Sequence, residues 1–118
     1  MDFSNDKPIY LQMADRLMDE IAAGVYLPES RIPSVREYAV NLCVNTNTAM
    51  KTYEELAKDN IIYNKRGLGY FVSPGAIEQI KNERRREFYE QGLPRLSRQM
   101  KMLGISIDEL TSALRRIL

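Results

Sequence analysis

The residues best placed to do chemistry lie between Val44 and Tyr53, V-N-T-N-T-A-M-K-T-Y. They are amides, hydroxyls and one cation, a set that recognises ligands and does not attack them. The stretch reads as a helix with a polar leading end. Asn45 can cap it, its side-chain oxygen accepting from backbone N–H groups just inside the helix. Ala49, Tyr53, Leu56 and Ala57 keep the i, i+4, i+7, i+8 spacing of one inward face. Asn47 and Lys51 then point the opposite way, with Thr48 beside them. The amides and hydroxyls of Asn45, Thr46, Asn47 and Thr48, followed by Lys51, suit base edges and phosphates in a major groove. Taken alone, the same pattern also describes a capped surface helix, so its neighbours decide.

Those neighbours must position it. Ser34-Val35-Arg36-Glu37 matches a capping box, with Ser at N-cap and Glu at N3. A helix is expected from Val35 to about Leu42, burying Val35, Tyr38, Ala39 and Leu42. Arg36 falls in its first turn, away from that core, where a cation opposes the helix dipole. By itself it fits a surface arginine as well as a ligand contact. Two helices joined by a turn at Cys43-Val44-Asn45, the second led by polar residues, describe a helix-turn-helix. Cys43 is expected to be a small buried filler, not a reactive thiol. The second of these helices should fade near Asp59-Asn60.

Ile61 to Val72 takes on strand character, with Lys65-Arg66-Gly67-Leu68-Gly69 as a basic, glycine-rich hairpin tip. Gly67 and Gly69 permit φ > 0 and close backbone approach. A lone G-x-G with no helix after it is no nucleotide fingerprint. A basic hairpin directly after a helix-turn-helix reads as the wing of a winged helix.

Ahead of these elements, Lys7 to Gly24 reads as a helix. Pro8 is expected at N1 and Gly24 at C′. Ile9, Met13, Leu17 and Ile21 form its core stripe. The connection Val25 to Pro33 is too short for a domain boundary, and Ile32 is expected to pair at a sheet edge. Ser73-Pro74-Gly75 is the one convincing hinge, separating residues 1–73 from 76–118. Beyond it, Ile77, Ile80, Phe88, Leu96, Met100 and Leu103 give a helical pattern that Gly92 and Pro94 should kink or restart. Gly104 ends it. Ser106-Ile107-Asp108-Glu109 is a second capping box, opening a final helix with Leu110, Leu114, Ile117 and Leu118 on one side. Two helices of this size cannot enclose a core. Phe88, Leu96, Met100, Leu103, Leu110 and Leu114 are therefore expected at a dimer interface. Arg84, Arg85 and Arg86 read as an exposed charged face.

Composition narrows the function classes. The apolar share of 44% supports a core and the charged share of 28% a solvated surface. No run approaches the roughly 18 apolar residues of a membrane span, and M-D-F-S-N-D-K-P lacks the features of a secretory signal. One cysteine and no histidine leave no internal disulfide, no zinc set and no histidine acid–base pair. No catalytic residue, metal or cofactor is expected, and a reducing cytoplasm is the default location. The formal net charge is +1, with eight Lys/Arg against ten Asp/Glu in residues 1–75 and nine against six in 76–118. A nucleic-acid footprint must therefore be a local face.

With these residues in view, the sequence resembles the GntR family of bacterial transcription regulators, and its short YtrA-like branch in particular, over essentially the whole chain. The likeness is carried in register by Pro8-Ile9-Tyr10 with Gln12, Arg31-Ile32-Pro33-Ser34 and Arg36-Glu37. It continues through Val44-Asn45-Thr46-Asn47-Thr48, Tyr53-Glu54-Glu55-Leu56, and Arg66-Gly67-Leu68-Gly69 with Phe71-Val72. The resemblance implies a winged-helix DNA-binding domain and a two-fold dimer on a palindromic operator. It implies DNA contacts from Arg36, Thr46, Asn47, Thr48 and the wing-tip Gly67. It also implies a helical dimerisation tail, Glu78 to Leu118, without a large effector pocket. Glu29 and Cys43 depart from the family pattern where glycine is usual, and Thr46 and Met50 stand where many relatives carry arginine.

The fold class expected is α+β: a winged helix-turn-helix of three helices plus a β-hairpin wing, followed by an all-helical dimerisation tail. The function expected is a homodimeric, sequence-specific DNA-binding regulator that represses by occupying a double-stranded operator. Arg36, Lys51, Lys65 and Arg66 would add phosphate or guanine contacts to those of the helix tip, with Gly67 and Gly69 shaping the wing. The alternative is a winged-helix module for protein or RNA partners without a duplex target. An enzyme lacks every part it would need.

Overall fold

The computed structural model describes residues 7–118; residues 1–6, the start of the expected N-terminal domain, lie outside the described residues. The order is α1 (Ile9–Ala22), α2 (Val35–Leu42), α3 (Thr46–Lys58), β1 (Ile62–Lys65), β2 (Gly69–Val72) and α4 (Ala76–Glu87). A π-helical turn (Phe88–Gly92), α5 (Leu93–Leu103) and α6 (Ile107–Ile117) complete it.

Pro8 is the N-cap of α1 and not its first helical residue. Its ψ of 146° is extended, and its carbonyl oxygen accepts from the Leu11 and Gln12 amides at 3.1 and 3.2 Å. Ile9, next in line, is exposed, so the buried stripe begins at Met13 and continues through Ala14, Leu17 and Ile21. Gly24 follows the helix with φ 83°, the left-handed residue that closes it.

The capping box at Ser34 forms in full. The Glu37 amide donates to Ser34 Oγ at 3.1 Å, and the Ser34 amide donates to Glu37 Oε1 at 3.2 Å. α2 ends at Cys43, which adopts φ 55°. Cys43 is exposed, against the expectation of a buried filler. The left-handed turn sends the next residue inward: the Val44 amide reaches back to the Ala39 carbonyl at 3.0 Å, and Val44 packs on the core. A non-glycine residue in that region costs about 1–2 kcal/mol. Glu29 adopts φ 64°, so the other departure from glycine also keeps a left-handed backbone.

β1 and β2 pair antiparallel, Ile62 with Val72 through Lys65 with Gly69, leaving Arg66, Gly67 and Leu68 as the tip. The Leu68 amide closes the turn on the Lys65 carbonyl at 2.8 Å. The chain before α2 adds a short third strip. Its bridge centres on Arg31, opposite Phe71, while the buried Ile32 donates its amide to the Tyr70 carbonyl at 3.0 Å.

One core joins these elements. Tyr38, Ala39 and Leu42 of α2 and Ala49, Tyr53 and Leu56 of α3 meet the α1 stripe, with Ile61, Ile62 and Val72 from the hairpin. Ala76 and Ile80 of α4 join the same core, and the first compact unit accordingly runs to Lys81, past the expected division at residue 73.

The second unit spans Asn82–Leu118. Where a kink or restart was expected, the helix widens: the Leu93 amide bonds the Phe88 carbonyl, five residues back. Pro94 has no amide to donate, and the π turn absorbs the mismatch before α5. Gly104 ends α5 with φ 68°, and the Ile105 amide reaches the Met100 carbonyl at 3.0 Å. At Ser106 the hydroxyl oxygen accepts from the Glu109 amide at 3.1 Å, opening α6. No residue of the π turn, α5 or α6 is buried.

Candidate nucleic-acid interface

The leading end of α3 is held from both sides of the chain turn. Asn45 Oδ1 accepts from the Asn47 amide at 2.7 Å, so its oxygen is committed to the cap, while the exposed side chain keeps its N–H2 for other acceptors. Behind it, Ala49, Thr52 and Tyr53 are buried. Thr52 was not singled out in the sequence. Its hydroxyl donates to the Tyr10 carbonyl at 2.7 Å and ties α3 to the start of α1. Tyr53 donates to the Pro33 carbonyl at 2.6 Å, and its ring lies 5.9 Å from Tyr38 and 5.1 Å, edge-on, from Tyr70. Burial pushes the Tyr53 phenol well above the usual tyrosine range. The same cause, reinforced by Glu20, raises Tyr38, whose hydroxyl donates to Glu20 Oε1 at 3.0 Å.

With that inner face fixed, Thr46, Asn47, Met50, Lys51 and Glu54 are exposed and Thr48 is half-buried. Arg36 is exposed in the first turn of α2, as its position predicts. Beside it the Ser34 bonds, backbone first, hold the Glu37 carboxyl below the usual glutamate range.

On the hairpin, Lys65, Arg66 and Gly67 are exposed and Gly69 is half-buried. Tyr63 and Phe71 stack at 5.9 Å, and Lys65 Nζ sits 4.5 Å above the Phe71 ring. That cation–π contact holds the ammonium without neutralising it. Gly67, with φ 81° and nothing within 4 Å of a would-be Cβ, lies open at the tip. Gly69 has another reason to be glycine. Its φ is 105°, and a Cβ there would meet Arg31 Nε at 3.2 Å. Arg31, absent from the sequence-predicted set, thus lies along the wing, and its charge also reaches Glu37.

The cations of residues 7–72 divide in two. Lys7 pairs with Asp15 at 2.6 Å, Arg16 with Glu20 at 3.9 Å and Lys58 with Glu55 at 3.7 Å. Among the described residues, no hydrogen bond or ion pair engages the side chains of Arg31, Arg36, Lys51, Lys65 or Arg66. All five stand before or on α2, on α3 or on the wing. The acidic balance of the sequence is therefore partly absorbed elsewhere.

In the second unit, Phe88, Leu103 and Leu114 are 55%, 66% and 38% exposed, while Leu96, Met100 and Leu110 are half-buried. An apolar groove is lined by Leu93, Leu96, Met100, Ile105, Ile107 and Leu110. Arg86 pairs with Glu83 and with Glu90, the latter at 3.4 Å. No helix of the described residues is long and apolar enough to cross a membrane, and none of their side chains cluster as a metal site.

Three helices, a hairpin wing and a polar helix tip define a winged helix-turn-helix of the DNA-binding kind. Residues 9–72 match the model of the bacterial regulatory proteins of the gntR family, and the chain belongs to that family. It is similar to the HTH-type transcriptional regulator YhcF of Bacillus subtilis, 35% identical over 96% of this chain and 92% of that protein. It is also similar to the HTH-type transcriptional repressor YtrA of Bacillus subtilis, 29% identical over 99% and 89%. A crystal structure of a GntR-family transcriptional regulator from Bacteroides thetaiotaomicron superposes with a TM-score of 0.77, at 47% identity over 92% of this chain and 96% of that one. The DNA-binding domain of AraR in complex with operator ORX1 matches 62% of this chain and 93% of its own, with a TM-score of 0.56 and 25% identity. The chain is thus a DNA-binding transcriptional regulator of the YtrA-like kind, and its family and relatives are regulators, not enzymes.

Proposed function

We propose that the protein is a homodimeric repressor that blocks transcription by occupying a palindromic operator, in the cytoplasm with the chromosome. The observation that carries this reading is the division of cations. Five basic side chains on the α2 approach, α3 and the wing make no hydrogen bond or ion pair among the described residues, whereas Lys7, Arg16 and Lys58 each pair with a carboxylate. Thr46, Asn47 and Thr48 would enter the major groove from α3, with Asn45 capping and contributing its amide N–H2. Arg36 and Lys51 would flank them, and Lys65, Arg66 and the open Gly67 would follow phosphates or the neighbouring groove. Gly69 serves the wing by giving Arg31 its place. The repressor assignment draws on the similarity to YtrA and the operator on the similarity to AraR.

The dimer rests on the second unit, whose α5 and α6 bury nothing while presenting Leu96, Met100, Leu103, Leu110 and Leu114, with Phe88 before them. A second copy supplies the missing half of that core. No effector ligand is part of this reading.

Titration of random-sequence and selected duplexes at several salt concentrations tests it. Affinity for the selected duplex should fall steeply with salt as counterions are released. Arg36→Ala should weaken specific binding by about 1–3 kcal/mol. A chain that binds no duplex at low salt, or an Arg36 variant that binds as tightly as the parent, contradicts the proposal.

A further inference from the structure

We infer that the base pairs under the first two turns of α3 are A·T, with Asn47 reading adenine and Met50 reading the thymine methyl group. The inference rests on the operator-binding reading above and narrows it to a chemical class of half-site.

The exposed side chains of those turns are Thr46, Asn47, Met50 and Lys51. No guanidinium is among them, and guanine is read through its O6 and N7 acceptors by a cationic donor pair, arginine above all. Arg36 supplies one, but from α2. An asparagine amide carries an acceptor and a donor in one plane, complementary to adenine N6 and N7. Asn47 has its backbone amide engaged by Asn45, which fixes the turn, and among the described residues no hydrogen bond holds its own side chain.

Met50 is the second observation. It is 40% exposed, the one apolar side chain on an outer face otherwise made of Thr46, Asn47, Lys51, Glu54 and Lys58. The thymine 5-methyl is the one apolar group that the major groove displays. Asn47 and Met50 are neighbours at i, i+3 on one strip of helix. Their separation along the axis is about 4.5 Å, close to the roughly 3.4 Å between stacked base pairs. One amide and one thioether so spaced meet adjacent pairs, and an adjacent adenine and thymine satisfy both. Lys51, one residue further round, is left for phosphate.

The test starts from duplexes selected by the full-length protein from a random pool. Selections repeated with Asn47→Ala and Met50→Ala identify, by lost preference, the pairs that α3 covers. At those pairs thymine is replaced by uracil, which removes only the methyl group, or adenine by 7-deazaadenine, which removes only N7. Uracil should weaken parent binding about fourfold per contacted methyl and leave Met50→Ala unaffected. Deazaadenine should weaken parent binding about tenfold and leave Asn47→Ala unaffected. G·C pairs at the α3 positions, or substitutions that weaken parent and variants alike, would overturn the inference while operator binding stands. A parent chain that selects no duplex would overturn both.

Discussion

The Tyr53 hydroxyl donates to the Pro33 carbonyl oxygen at 2.6 Å. One side chain on the inner face of α3 thereby fixes the chain just ahead of the α2 cap. Its ring completes the link by meeting Tyr38 of α2 and Tyr70 of the wing. The three elements that would face DNA are set against one another through this residue.

Tyr53→Phe keeps the ring and removes the bond. The loss should lower stability by about 1–2 kcal/mol, the range for a buried acceptor left short of its donor. Urea unfolding followed by circular dichroism measures it; an unchanged midpoint would show that water replaces the bond without loss.

Alkaline pH should weaken the same cluster. Burial raises the phenols of Tyr38 and Tyr53 in the folded state above their unfolded value, so folding favours the protonated form. That contribution is fully present below the ordinary tyrosine pKa of about 10 and is lost as pH rises above it towards the folded values. Urea midpoints taken from pH 8 to pH 11 should fall more for the parent than for Tyr38→Phe. Parallel curves would contradict the assignment.

Much of this was legible in the sequence, and the omissions have physical causes. The i, i+4, i+7 spacing placed Tyr53 on the inner face of α3, and Ser34 with Glu37 announced α2 to the residue, because both signals are local. The partners of Tyr53 were not legible, since Pro33, Tyr38 and Tyr70 come together only through tertiary packing. Arg31 was overlooked for the same reason: its position along Gly69 depends on the bridge to Phe71. Cys43 was misplaced because residue type argues for burial while backbone handedness decides direction. Gly92 and Pro94 signalled a disturbance, but not that a π turn would keep the helix going.

Cys43→Gly should stabilise the protein by about 1 kcal/mol. Glycine accepts φ 55° without the Cβ penalty, and the exposed thiol contributes no core packing. Thermal and urea unfolding under reducing conditions provide the comparison. A destabilised variant would mean that the left-handed position carries no strain.

Met100→Glu and Leu110→Glu, which place charges in the apolar groove of the second unit, should turn a dimer into monomers. Sedimentation equilibrium at micromolar concentration reports the mass directly, and circular dichroism confirms that the first unit, with its own core, remains folded. Dimers that persist in both variants would place the interface elsewhere.

The claim on which the account depends is that the polar tip of α3 meets duplex DNA in two symmetric copies. Hydroxyl-radical footprinting of the parent protein on its selected duplex tests this most directly. The account requires two inverted protected half-sites with centres one helical turn, about 10–10.5 base pairs, or a multiple of it apart, and protection that Asn47→Ala reaches only at higher protein concentration. A single asymmetric footprint, or one that the Asn47 variant reaches at the parent's concentration, would contradict it.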